Sequence, residues 1–161
     1  LPLLAALVPE ARFIVSVRDP REVVASRLAV AARKGLDGST TEAALQACDE
    51  YNRHYRSTLQ LVQQRPKSVM LVSYRQVTLG QATEALGEFL SIRPDPTRLW
   101  DGWSATDATR NDPTFSEGYG RPLSSNSKDK WQDQLTPAQA SLVAERCGPT
   151  AAALGIPLQA T

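Results

Sequence analysis

The stretch RFIVSVRDPREVVASRL, residues 12–28, constrains the chain more than any other. Residues 12–17 are β-branched and aromatic with almost no polar interruption, which predicts a short, fully buried strand in a parallel sheet. The next residues leave no room for a loop. Asp19 suits a helix cap, Pro20 suits the first helical position because its φ is already set, and Glu22 falls three residues after the cap to complete a capping box. A strand therefore runs straight into a helix N-terminus, whose unpaired backbone donors and positive dipole end favour an anion. Arg18 adds a planar fork of donors that matches the oxygens of a phosphate. Ser26, seven residues after Asp19, stands two helical turns along on the same face. The same residues also allow a plain structural reading, in which Arg18 pairs with Asp19 or Glu22 and Ser26 only packs. Spacing alone does not separate the two.

Ser39 with Glu42 repeats the capping pattern and predicts a second helix to about Gln64, its core stripe being Ala44, Leu45, Cys48, Tyr51, Tyr55, Leu59 and Val62. Pro66 lies beyond its end. Residues 68–73, SVMLVS, predict a second buried strand, and Tyr74 follows it at once. Thr78 with Gln81 opens a third helix carrying Leu86, Phe89 and Leu90, which ends before Pro94. The order strand, helix, helix, strand, helix predicts an α/β fold with a parallel sheet flanked by helices. Residues 101–127 are polar, with three glycines and two prolines, and read as one long loop of the kind that serves as a lid or binding loop. Thr136, Pro137 and Gln139 restart a helix, with Leu135 placed as a staple. The whole fits one domain over residues 1–161.

Charge and cysteine usage narrow the chemistry. Eighteen Lys and Arg against seventeen Asp and Glu leave a net charge of +1, so the broad basic footprint of a nucleic-acid partner is missing and any anion site is local. Cys48 and Cys147 form no CxxC, and His54 is the one histidine, so no metal is expected and a reducing, cytoplasmic setting is. His54, beside Arg53 and Tyr55 on the second helix, reads as an exposed or ion-paired histidine without a role. The opening LPLLAALV is too short to span a bilayer and lacks a charged leader. The chain opens on leucine, as an excised or processed part of a longer polypeptide would.

The string FIVSVRDPREVVASRL resembles the 3'-phosphate-binding segment of PAPS-dependent sulfotransferases, in which a buried strand leads into an Arg-Asp-Pro-Arg turn and a serine lies eight residues after the first arginine. The resemblance gives Arg18 and Ser26 the 3'-phosphate of 3'-phosphoadenylyl sulfate (PAPS). Arg21 and Arg27 match less specific positions and read as solvated. VMLVSYRQVTLGQATEALGEFLSI is similar to the family's strand, Tyr-Glu-Asp turn and helix, which gives Tyr74 the adenine ring; Arg75 and Gln76 stand where the acidic pair is usual. GRPLSSNSKDKW resembles a late loop that folds over the nucleotide, assigning Arg121, Ser124 and Lys130 to phosphate or ribose contacts. WQDQLTPAQASLVAERCGPTAAALGI resembles the closing helices, with Trp131 packing rather than binding.

The resemblance implies a P-loop NTPase-like sulfotransferase fold, incomplete at its N-terminus because the strand and loop that cradle the 5'-phosphosulfate should precede Leu1. The family's catalytic base also sits upstream of the Arg-Asp-Pro turn, so none is assigned here and His54 does not replace it. The implied reaction moves a sulfuryl group from PAPS, without a metal, to a hydroxyl or amine of a small-molecule, carbohydrate or peptide acceptor. The alternative is a truncated, inactive relative acting as a nucleotide-binding or protein-interaction module, self-associating through an open sheet edge. An unrelated P-loop kinase fragment fits less well, because the Arg-to-Ser spacing, the tyrosine after the second strand and the late Lys-Trp pair occur together.

Overall fold

The structure is a computed structural model that describes residues 2–93, 95, 130–156 and 158. A short helix, α1 (Pro2–Leu7), precedes strand β1 (Phe13–Val17). Helices α2 (Pro20–Arg33) and α3 (Thr41–Gln64) lead to strand β2 (Val69–Ser73). After it come α4 (Tyr74–Thr78), α5 (Thr83–Leu90), α6 (Trp131–Gln134) and α7 (Pro137–Ala153). β1 and β2 pair in parallel, with Phe13 opposite Val69 and Val17 opposite Ser73. Parallel pairing demands a long connection, and α2 and α3 supply it. The expected order of strand, helix, helix, strand and helix is present, with two helices the sequence did not announce, α1 before β1 and α4 directly after β2.

The strand chemistry differs from expectation in one respect. β1 alternates: Val15 and Val17 are buried, while Ile14 and Ser16 are exposed. Val72, which shares the face of Ser16, is buried on β2 apart from the main core, so that second face is covered at β2 and left open at β1. The core joins Val15, Val17 and Val69 to Val24 and Leu28 of α2, Cys48, Tyr51, Tyr55 and Leu61 of α3, and Val143 and Cys147 of α7.

α3 is the hub of this core. Its cap is Thr40, whose hydroxyl accepts the Ala43 N–H at 3.1 Å. Ser39, expected to cap, instead donates to Asp37 at 2.6 Å and offers its carbonyl to Gln139 Nε2 at 3.1 Å. The buried stripe is Ala44, Ala47, Cys48, Tyr51, Tyr55, Thr58 and Leu61, whereas Leu45, Leu59 and Val62 are only half-buried. Contact with α2 on one flank and α7 on the other shifts and widens that stripe. Cys48 and Cys147 are fully buried free thiols where α3 meets α7, with the Cys147 thiol directed at the Cys48 carbonyl, 3.9 Å away. Its engagement with Cys48, and then burial, push the Cys147 thiol well above its ordinary value.

Glycines mark two boundaries. Gly38 lies flush on α2, where an added Cβ would meet the Leu28 carbonyl oxygen at 2.6 Å. Gly80, at φ +70°, separates α4 from α5. The chain enters α4 directly at Tyr74, so Thr78, expected to open a helix, ends one and donates to the Arg75 carbonyl at 2.9 Å. In α7, Thr136 and Gln139 close a complete capping box over buried Leu135. No helix among the described residues is long and apolar enough to cross a membrane. The loop expected at 101–127 lies outside the described residues.

Candidate functional site

The two strands end side by side. Because Val17 sits opposite Ser73, Arg18 and Tyr74 are each the first residue beyond a strand, on the edge of a parallel sheet where ligands commonly bind. The Arg18 guanidinium carbon lies 4.6 Å from the centroid of the Tyr74 ring, a cation–π contact of about 0.5–2 kcal/mol. Its Nε donates to Glu22 Oε2 at 2.5 Å. Among the described residues its two Nη groups have no hydrogen-bond partner. The guanidinium is thus fixed at its base and along one face, with its forked end open.

The helix start is arranged differently from the expected bare cluster of donors. Asp19 Oδ1 accepts the Arg21 N–H at 2.8 Å, and Pro20 has no N–H to offer. Glu22 does not close the capping box; it turns to Arg18. Two carboxylates at the first turn already compensate the helix dipole, which leaves the attraction for an anion to Arg18.

Arg21, expected to be solvated, is 8% exposed. Its Nη2 donates to Asp19 Oδ2 at 2.8 Å, and its guanidinium carbon lies 4.3 Å from the centroid of the Trp131 ring. Buried Trp131 therefore packs, as expected, and ties α6 to the start of α2. Lys130, immediately before it, is exposed. Arg27 pairs with Glu50.

Ser26 is exposed on α2, one turn beyond Glu22 or about 6 Å along the axis. Arg18, Glu22 and Ser26 are spaced by four residues, so the carboxylate stands between guanidinium and hydroxyl. Arg18 and Tyr74 are thus brought together, Ser26 lies along the same helix face, and Lys130 is linked to the junction through Trp131. Arg121 and Ser124 lie outside the described residues. One depression lies beside α5, around Gln81, Glu84 and Ser91, and another between α3 and α7, around Asn52, Gln60 and Thr150. Neither includes the junction, where Arg18, Glu22 and Tyr74 are half-buried.

Two contributors escaped the sequence reading. Tyr51 donates its hydroxyl to the Arg18 carbonyl at 3.2 Å, and Tyr55 to the Ser16 carbonyl at 3.0 Å. Their helical spacing identifies them as core; a pair of phenols one turn apart on that otherwise mostly aliphatic face is the signal that they also reach polar groups. His54 is exposed, its ring nearly perpendicular to that of Tyr55 at a centroid distance of 5.0 Å. Among the described residues no cluster of His, Cys, Asp and Glu is suited to hold a metal ion.

No curated protein and no solved structure matches the chain. The sequence profile of the sulfotransferase family matches residues 1–96, a span that includes the Arg18 junction, both strands and Tyr74. With well over half its length matched, the chain belongs to the sulfotransferase family.

Proposed function

We propose that this chain carries the adenosine 3',5'-bisphosphate side of a PAPS site, on a P-loop-like fold. Arg18 and Ser26 hold the 3'-phosphate, Tyr74 meets the adenine, and Arg121, Ser124 and Lys130 fold over the nucleotide. The observation that carries this reading is the meeting of Arg18 and Tyr74 at the strand ends, with the forked end of the guanidinium open. Arg18 covers one face of the Tyr74 ring, so the adenine takes the opposite face or the edge. Stacking of this kind contributes about 1–3 kcal/mol per base and tolerates the loss of the acidic pair that Arg75 and Gln76 replace.

In the reaction, an acceptor hydroxyl or amine forms a bond to sulfur as the bond from sulfur to the bridging phosphate oxygen breaks. A sulfated acceptor and 3',5'-ADP result, and the acceptor proton passes to a base that this chain leaves unassigned. Charge placement and alignment carry most of such a transfer. This chain contributes by anchoring the half of the donor that does not react, so that remote binding energy orients the half that does.

Calorimetric titration of the chain with 3',5'-ADP and 5'-AMP tests the reading. The first ligand binds more tightly, and Arg18→Ala removes that preference, since a charge-assisted contact contributes about 1.5–3 kcal/mol. Equal affinities in the unmodified chain, or a preference that survives Arg18→Ala, overturn the assignment.

A further inference from the structure

We propose that Tyr51 and Tyr55 of α3 are positioning residues that hold the end of β1 and so aim the Arg18 guanidinium; this rests on the reading of Arg18 as the 3'-phosphate arm. The Phe13 N–H donates to the Ser68 carbonyl at 2.7 Å, toward β2. Backbone groups alternate direction along a strand, so the carbonyl of Ser16 faces away from β2, and Arg18 continues that row. Such groups at the end of an edge strand need partners. The phenols supply them, one at 3.0 Å and the other at 3.2 Å.

The geometry depends on a match of two repeats. Residues four apart on a helix rise about 6 Å, and residues two apart on a strand advance about 6.6 Å. Tyr51 and Tyr55 therefore meet Arg18 and Ser16 in register, as a short stretch of neighbouring strand would. Both rings are deeply buried, at 2% and 6% exposure, and pack on each other at a centroid distance of 4.7 Å. Burial pushes both phenols above their ordinary range, with the Arg18 N–H and guanidinium drawing Tyr55 partly back, so both remain hydrogen-bond donors at neutral pH. The junction is thus held twice, through its carbonyls by α3 and through its side chain by Glu22 and Tyr74. This also leaves less of the β1 edge open for the self-association that the sequence suggested.

Tyr51→Phe and Tyr55→Phe keep the rings and remove the hydroxyls. Calorimetry on the full chain with 3',5'-ADP and 5'-AMP, alongside the melting temperature, separates aiming from bulk stability. The expected result is about fivefold to tenfold weaker 3',5'-ADP binding with 5'-AMP unchanged, whatever the melting temperature does. The Arg18 Nε–H resonance should also shift in both variants, which reads the side chain without any ligand. An unchanged 3',5'-ADP to 5'-AMP ratio and an unmoved resonance overturn the proposal, while loss of that ratio in Arg18→Ala leaves the 3'-phosphate reading standing. If the unmodified chain has no such ratio for Arg18→Ala to remove, the underlying reading fails and this proposal with it.

Discussion

Arg18 and Glu22 set the terms at the scale of single residues. A guanidinium bound only by a carboxylate would be neutralised, yet Glu22 engages only Nε, so the pair orients the fork without filling it. The carboxylate also lies between Arg18 and Ser26, where it repels a phosphate. Glu22→Gln keeps an oxygen for Nε and removes the charge. One unit charge at about 6 Å in the partly screened surroundings of a surface contributes on the order of 1 kcal/mol. Glu22→Gln is therefore expected to bind 3',5'-ADP about fivefold more tightly, and calorimetry showing weaker binding would assign Glu22 an attractive role instead. Arg18 was legible from its place after a strand and before an Asp-Pro helix start. The choice between anion arm and ion pair was not, because a four-residue separation permits both, and the structure shows the ion pair formed with the fork still open.

Elements were read well where local chemistry is strong and shifted where packing decided. The Asp19-Pro20 and Thr136-Pro137 starts form as their residues dictate, because cap side chains and proline act within one turn. Ser39 and Thr78 carry the same cap chemistry but lose to neighbours. Gln139, a hundred residues away, takes the Ser39 carbonyl and the cap moves to Thr40. Gly80 breaks the chain after Thr78, so the next helix starts later. In the connection from α2 to α3, a methyl group added at Gly38 would meet the Leu28 backbone, which cannot swing aside as a flexible side chain would. Gly38→Ala should cost about 1–3 kcal/mol by overpacking, measured as a lower denaturant midpoint with unchanged slope; an unchanged midpoint would mean that the connection yields freely.

For the molecule as a whole, pH offers a direct test of how the tyrosine-lined core is built. Tyr51 and Tyr55 have folded-state pKa values raised by burial, so the folded state keeps two protons that the unfolded chain releases near pH 10. Their contribution is intact below that pH and is lost as pH rises further. Unfolding free energy is therefore expected to fall steeply above about pH 10, and less steeply in the Tyr51→Phe, Tyr55→Phe double variant; matching slopes would show that the phenols ionise freely in the folded chain. The residues by themselves determined the parallel α/β order, the two proline-assisted helix starts and the placement of Arg18 and Tyr74 at strand ends, because each follows from interactions within a few positions. Tertiary structure alone decided that these two side chains meet, that Arg21 is buried against Trp131, that one face of β1 stays exposed and that two core phenols hold the junction. Each of those depends on which surfaces distant segments bring together, and local preference carries no record of that.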